Sequence, residues 1–235
     1  MRLLHALKYD VIAQFRYGFY YAYMVIIALY VVLLRSLPTE YQDTVEVLII
    51  FTDPSAIGFF IIGGVLLMEK DQNTLENLFV TPLRIYEYIF SKVLSLTIMA
   101  LIASAILLAL TWRGPIHIVP MFFGIVLTSF FFTLLGFIAA VRSETLNQYL
   151  LKSPLYVIVF YLPVLGYLDV ADLWVYNLIP GKASLLLLEG GSSGISPSLF
   201  LGSVALLCVW IFIAYYIAKK SFEGRIIMRI GDGKL

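Results

Sequence analysis

Six stretches of this chain, residues 18–34, 47–67, 88–111, 118–140, 154–168 and 197–218, are apolar and, with one exception, about long enough to cross a lipid bilayer. No other feature restricts the fold as much. About 20 mostly apolar residues are needed to traverse the ~30 Å hydrocarbon layer. Inside it, every backbone N–H and C=O must be satisfied within the protein. Helices meet that demand segment by segment, so the sequence predicts an all-α polytopic membrane protein with six transmembrane helices. The fifth stretch has 15 residues, or ~22 Å of helix, and must extend beyond its apolar part or be supplemented. Composition agrees. Of 235 residues, 61% are hydrophobic and 13% charged, whereas about a quarter of a soluble domain is charged. A net charge of +1 supplies no field directed at nucleic acid. The single cysteine, Cys208, lies in an apolar run and reads as a small core thiol. No early apolar run precedes a small-residue cleavage site, so no cleavable signal peptide is expected.

Six spans put both termini on one side, and Lys and Arg decide which. Thirteen of the sixteen basic residues fall in the N-terminal segment, the second-to-third connection, the fourth-to-fifth connection and the C-terminal tail. The other face carries only Arg35, Arg113 and Lys182, beside Glu40, Asp43, Glu46, Asp169, Asp172 and Glu189. The positive-inside rule places both termini in the cytoplasm, with residues 219–235 as a cytoplasmic tail. Residues 1–17 carry Leu3, Leu4, Leu7, Val11, Ile12 and Phe15 at helical spacing, with Arg2, Lys8, Asp10 and Gln14 largely off that face. Such a helix lies along the inner membrane surface, its basic residues near anionic lipid headgroups. It serves as an anchor, or as a contact for a partner.

Between the second and third apolar runs stands MEKDQNTLENLFVTPLRIYEYIFSK, residues 68–92. It holds two helix starts. Asn73 can cap a helix while Glu76 reaches back to it, and Thr81 can cap a second helix whose first residue is Pro82. Leu75, Leu78 and Phe79 share one face between them. The expectation is a short helix across the cytoplasmic surface, then a fresh start running into the third span. A slack connector would need neither cap.

These residues resemble a family. Glu69, Thr74, Leu75, Glu76, Leu78, Thr81, Pro82 and Lys92 look like the signature of type-2 ATP-binding-cassette permeases, with Lys70 where Arg is common and Asn73 where Gly is common. FTDPSAIGFF in the second run and NLIPGKASLLLLEG before the sixth add to the likeness, whose flavour is that of small bacterial fluoroquinolone-export permeases. The resemblance implies a bacterial plasma-membrane subunit in which Glu69, Asn73, Thr74, Leu75, Glu76, Leu78, Thr81 and Pro82 form the coupling segment, residues 69–87, docked on a cytoplasmic ATPase subunit. It implies a second permease copy, identical or related, with ATP and Mg held by the ATPase and no cofactor bound by this chain. It also implies two short re-entrant helices within residues 169–196, with Asn177, Pro180 and Gly181 at an outer gate.

Other polar residues point to little chemistry. Asp53 and Pro54 read as a helix cap and first helical residue near the outer interface, with an ion-binding carboxylate as the other reading. Residues 170–196 are too apolar for a plain loop and too broken for a span. Gly190–Gly194 matches G-x-S-x-G, but both histidines, His5 and His117, precede it and no strand leads into it, so a flexible turn is expected. There is no P-loop, and no Cys/His cluster or second ligand near His5 suggests a metal. Energy for any work must come from another chain. Few intramembrane charges and many Tyr, Phe and Met residues suit a hydrophobic or amphipathic substrate such as a drug, lipid or small peptide. An ion-coupled transporter acting alone is the alternative, and it would need a carboxylate at the midplane.

Overall fold

The computed structural model describes residues 2–72, 83–112, 114–171 and 173–227, the last two without their side chains. The order is α1 (Arg2–Arg16), α2 (Phe19–Ser36), α3 (Thr39–Asp71), α4 (Ile85–Thr111), α5 (Ile118–Val141), α6 (Leu146–Tyr161) and α7 (Pro163–Tyr167). A 3-10 turn (Trp174–Leu178), α8 (Pro180–Ser193) and α9 (Pro197–Phe222) follow, and α9 runs on into a π turn. Among the described residues there is no strand. Helices α2, α3, α4, α5 and α9 are long and apolar enough to cross a membrane, so the chain is a multi-pass membrane protein. Helix α6, the expected fifth span, has 16 residues with Lys152 inside it and is too short by itself.

Helix α5 is the centre. It packs against α3, α4, α6, α8 and α9, and from Phe131 to Val141 every side chain is buried. Small residues let its neighbours close in, as helix packing in lipid requires. A Cβ on Gly136 would lie 2.8 Å from Phe59 Cα, and one on Gly124 would meet Leu188. Helices α2 and α9 are the outermost spans, with only 17% of each apolar window buried. Cys208, on α9, is exposed and not the core thiol its sequence context suggests.

Helix α3 departs furthest from expectation. Its 33 residues extend ~50 Å and begin at Thr39, eight residues before the apolar run, so Glu46 is helical and buried and accepts a hydrogen bond from the Thr111 hydroxyl. Pro54 sits inside the helix and does not start it. Proline removes one N–H from the ladder, and membrane helices absorb the loss by local π adjustment against protein neighbours. Here residues Ile57–Ile61 form a π turn, and the buried Tyr149 hydroxyl of α6 donates to the Phe59 carbonyl within it. The turn presses directly on Gly136.

The segment after α7 turns back into the bundle. The Leu178 carbonyl accepts from Trp210 Nε1, halfway along α9, at 2.9 Å. Helix α8 then returns along α5 until the Gly191 carbonyl meets the His117 N–H, at the start of α5, at 2.8 Å. The G-x-S-x-G residues are not a loose turn. Gly190–Ser193 complete α8, Ser192 donates to the Glu189 carbonyl at 2.7 Å, and the chain reverses at Gly194 with φ 84°.

Gly136→Ala is expected to lower stability by about 1–3 kcal/mol through overpacking against Phe59. Gly64→Ala, where a Cβ meets nothing within 4 Å, should be neutral or stabilising. Thermal unfolding of the two variants in one detergent checks the contrast.

Candidate functional site

Helix α1 docks with two polar residues inward. Asp10 and Gln14, one turn apart, are buried, while Leu4, Ile12 and Phe15 on the apolar face are exposed. Leu3, Leu7 and Val11 are half-buried beside them, so the helix leaves Leu4, Ile12 and Phe15 free for lipid while Asp10 and Gln14 find partners in α4. The partners are Lys92 and Ser95. Lys92 Nζ donates to Asp10 Oδ1 at 2.6 Å and also to Glu69 Oε1. Gln14 Nε2 donates to Ser95 Oγ at 2.8 Å, and the Tyr88 hydroxyl donates to Glu69 Oε2 at 2.6 Å. Tyr88, Lys92 and Ser95 fall at i, i+4 and i+7, one face of α4. Glu69 stands in the last turn of α3, so one ammonium ties together α1, the end of α3 and the start of α4.

The cluster is nearly sealed, with the Lys92 side chain 6% exposed. It encloses a cavity of about 50 Å³ lined by Tyr9, Asp10, Gln14, Glu69, Gln72 and Lys92. Asp10 Oδ2 and Gln14 Oε1 have no protein partner there, and the space suits a few bridging waters. Two carboxylates and one ammonium leave a net negative charge. Phe222, from the end of α9, lies 5.4 Å from the Tyr88 ring and carries the same packed unit to the C-terminal helix. The segment 219–235 is thus not purely a tail, because α9 continues four residues past the expected end of the span.

A second polar site lies deeper. Asp53 is 4% exposed and accepts a hydrogen bond from the Tyr23 hydroxyl, with Tyr30 facing the same carboxylate. It is the fifteenth residue of α3, ~21 Å from the start. The expected cap near the outer interface is therefore wrong for both Asp53 and Pro54. The helix simply continues through them.

A family model, the fluoroquinolones export permease protein family, matches residues 1–230. The chain belongs to that family. It is also 28% identical over 200 residues to the fluoroquinolones export permease proteins of two Mycobacterium tuberculosis strains, covering 83% of this chain and 83% of each relative.

Of the residues expected in the coupling segment of this permease, Glu69 takes part in the cluster. Asn73, Thr74, Leu75, Glu76, Leu78, Thr81 and Pro82 lie outside the described residues. The helix entering the third span starts at Ile85, not at Pro82, because Glu87 accepts the Arg84 backbone N–H at 2.8 Å and caps it there. Asn177 is exposed in the 3-10 turn, while Pro180 and Gly181 are buried at the start of α8, with Gly181 against the Phe160 carbonyl. Where two short helices were implied, there is one turn and one 14-residue helix. Sequence reasoning missed Asp10, Gln14 and Tyr88. The available signal was the i, i+4 pair of polar residues on an amphipathic helix, but nothing in the sequence says what that pair faces.

Lys92→Met would strand two buried carboxylates and is expected to cost about 3–5 kcal/mol. Adding Asp10→Asn and Glu69→Gln removes the stranded charge and should recover most of the loss. Thermal midpoints of the single and triple variants give the comparison. Equal destabilisation in both would show that Lys92 acts through packing alone.

Proposed function

We propose that this permease is the membrane subunit of an ATP-driven exporter, and that the Asp10–Lys92–Glu69 cluster is the joint through which force enters it. The observation that carries this reading is the position of the cluster. Glu69 lies four residues before Asn73 and Lys92 ten residues after Pro82, so both ends of the signature segment are clamped to one charge and to the amphipathic helix. A segment held that way passes a push from outside to α3, α4 and α1 together.

In this reading α6 and α7 combine into the fifth of six crossings. The basic residues keep both termini in the cytoplasm of a bacterial cell, and α1 lies on the inner leaflet. A cytoplasmic ATP-binding-cassette subunit docks on residues 73–82 and holds the ATP and Mg. A second permease copy, identical or related, completes the pathway. ATP-driven approach of the two ATPase subunits then switches a central cavity from inward- to outward-facing. The turn and α8 form the outer gate, with Asn177, Pro180 and Gly181 at its hinge. Support comes from the return of this segment to mid-bundle depth at Leu178 and Trp210. The substrate is a hydrophobic or amphipathic molecule, and the relatives named for fluoroquinolone export support a drug.

The depth of Asp53 favours a second reading, ion-coupled transport without an ATPase, since a buried intramembrane carboxylate is what such a carrier needs. Two measurements separate the readings. A cysteine at Asn77 is expected to crosslink to a co-expressed ATP-binding-cassette ATPase subunit. Transport in proteoliposomes is expected to require ATP and to survive collapse of the proton and sodium gradients. Transport driven by either gradient alone, with no crosslink, would establish the second reading.

A further inference from the structure

Asp53 and a neighbouring groove are left without a task by the coupling joint, and they share a wall. The acid is buried in mid-span, and among the described residues no Lys or Arg pairs with it. Its partners are phenol hydroxyls, which can donate but carry no charge. An ionised carboxylate held this way is costly to bury and attracts a cation. The groove, about 280 Å³, lies between α2 and α4 and is lined by Tyr20, Tyr21, Tyr23, Met24, Met99 and Ile102 among others. Tyr23 belongs to both, since its ring walls the groove while its hydroxyl holds Asp53. The Tyr20 hydroxyl is buried there with no partner.

Each part favours the same kind of guest. Aromatic faces attract organic cations, and methionines adapt to varied apolar shapes. A lipid tail could cover the apolar lining but carries no charge for Asp53, and a second copy of the chain is an outcome the test below separates.

We propose that the α2–α4 groove binds an amphipathic organic cation, whose charged end displaces the Tyr23 hydroxyl and pairs with Asp53 while its apolar body lies against Tyr20, Met24, Met99 and Ile102. This site names a substrate class and rests on the exporter reading for its role in transport. Binding itself needs only the permease.

The test uses purified permease in nanodiscs of zwitterionic lipid, with two probes of nearly the same shape and opposite charge, tetraphenylphosphonium and tetraphenylborate. Equilibrium dialysis should show saturable binding of the cation, which the anion does not compete away. Asp53→Asn should weaken cation binding by roughly tenfold or more, as expected when a buried charge loses its partner. Tyr23→Phe keeps the acid and removes the competing donor, so cation binding should tighten, a result that a purely structural Asp53 would not give. Ile102→Trp, which fills the groove, should abolish binding. If Asp53→Asn does not fold, the opposed effects of Tyr23→Phe and Ile102→Trp decide. Equal binding of both probes, or cation affinity unchanged in Asp53→Asn or Tyr23→Phe, would overturn the proposal. So would disulfide pairing of two Tyr21→Cys copies across the groove with no cation bound. None of these failures touches the Asn77 crosslink, so the coupling reading stands or falls separately.

Discussion

One ammonium, that of Lys92, ties together three parts of the chain that lie far apart in sequence. Asp10 lies 82 residues away and Glu69 lies 23 away. Removing a Lys from water costs several kcal/mol, and the cost is recovered only where good geometry and full hydrogen bonding surround it. Two carboxylates, the Tyr88 hydroxyl and the Gln14–Ser95 bond provide most of that setting, and the adjoining cavity has room for waters on Asp10 Oδ2 and Gln14 Oε1. Helix α1 cannot leave without stranding Asp10 and half-stranding Lys92. This explains how an amphipathic helix can leave Leu4, Ile12 and Phe15 exposed and still be fixed to the protein. Its hold is electrostatic on one side and hydrophobic toward lipid on the other.

The same physics governs the middle of the bundle. Pro54 costs α3 one backbone hydrogen bond, the π turn spreads the defect, and Tyr149 satisfies the Phe59 carbonyl from a neighbouring helix. Glycines at 58 and 136 let α3 and α5 approach where the turn bulges. Asp53 is placed deep by this continuation of the helix through Pro54, in reach of Tyr23 and Tyr30. A helix starting at Pro54 would have put it at the surface. Backbone repair thus decides where the membrane region keeps its acid.

Much of this was legible in the sequence. Spans α2, α4, α5 and α9 begin or end within a few residues of the apolar runs, because about 20 greasy residues leave a helix little alternative. Residues 2–16 form the helix that their spacing requires. What could not be read was orientation and continuity. Helical spacing showed that Asp10 and Gln14 share a face, but only the position of Lys92, distant in the chain, makes that face the inner one. Asp-Pro reads as a cap when judged from local propensity, yet the contacts of α5 and α6 carried the helix across it. The Glu87 carboxylate caps the backbone at Arg84 and starts α4 at Ile85, a start the sequence reading did not single out. Residues 190–194 look loose in composition, but Met121 and His117 of α5 give their backbone a surface to pack on. In each case a tertiary neighbour outweighed a local signal.

The claim at the centre is that α1 and α4 move as one body because Lys92 binds them. Paired spin labels at Lys8 on α1 and Tyr86 on α4, both exposed, in a Cys208→Ser background, allow that distance to be measured by pulsed electron resonance. The permease would be assembled with the ATPase subunit of the proposed exporter and compared without nucleotide and with ATP trapped. A rigid joint gives one narrow distance, the same in both states. A second population, or a shift in that distance on trapping ATP, would contradict it.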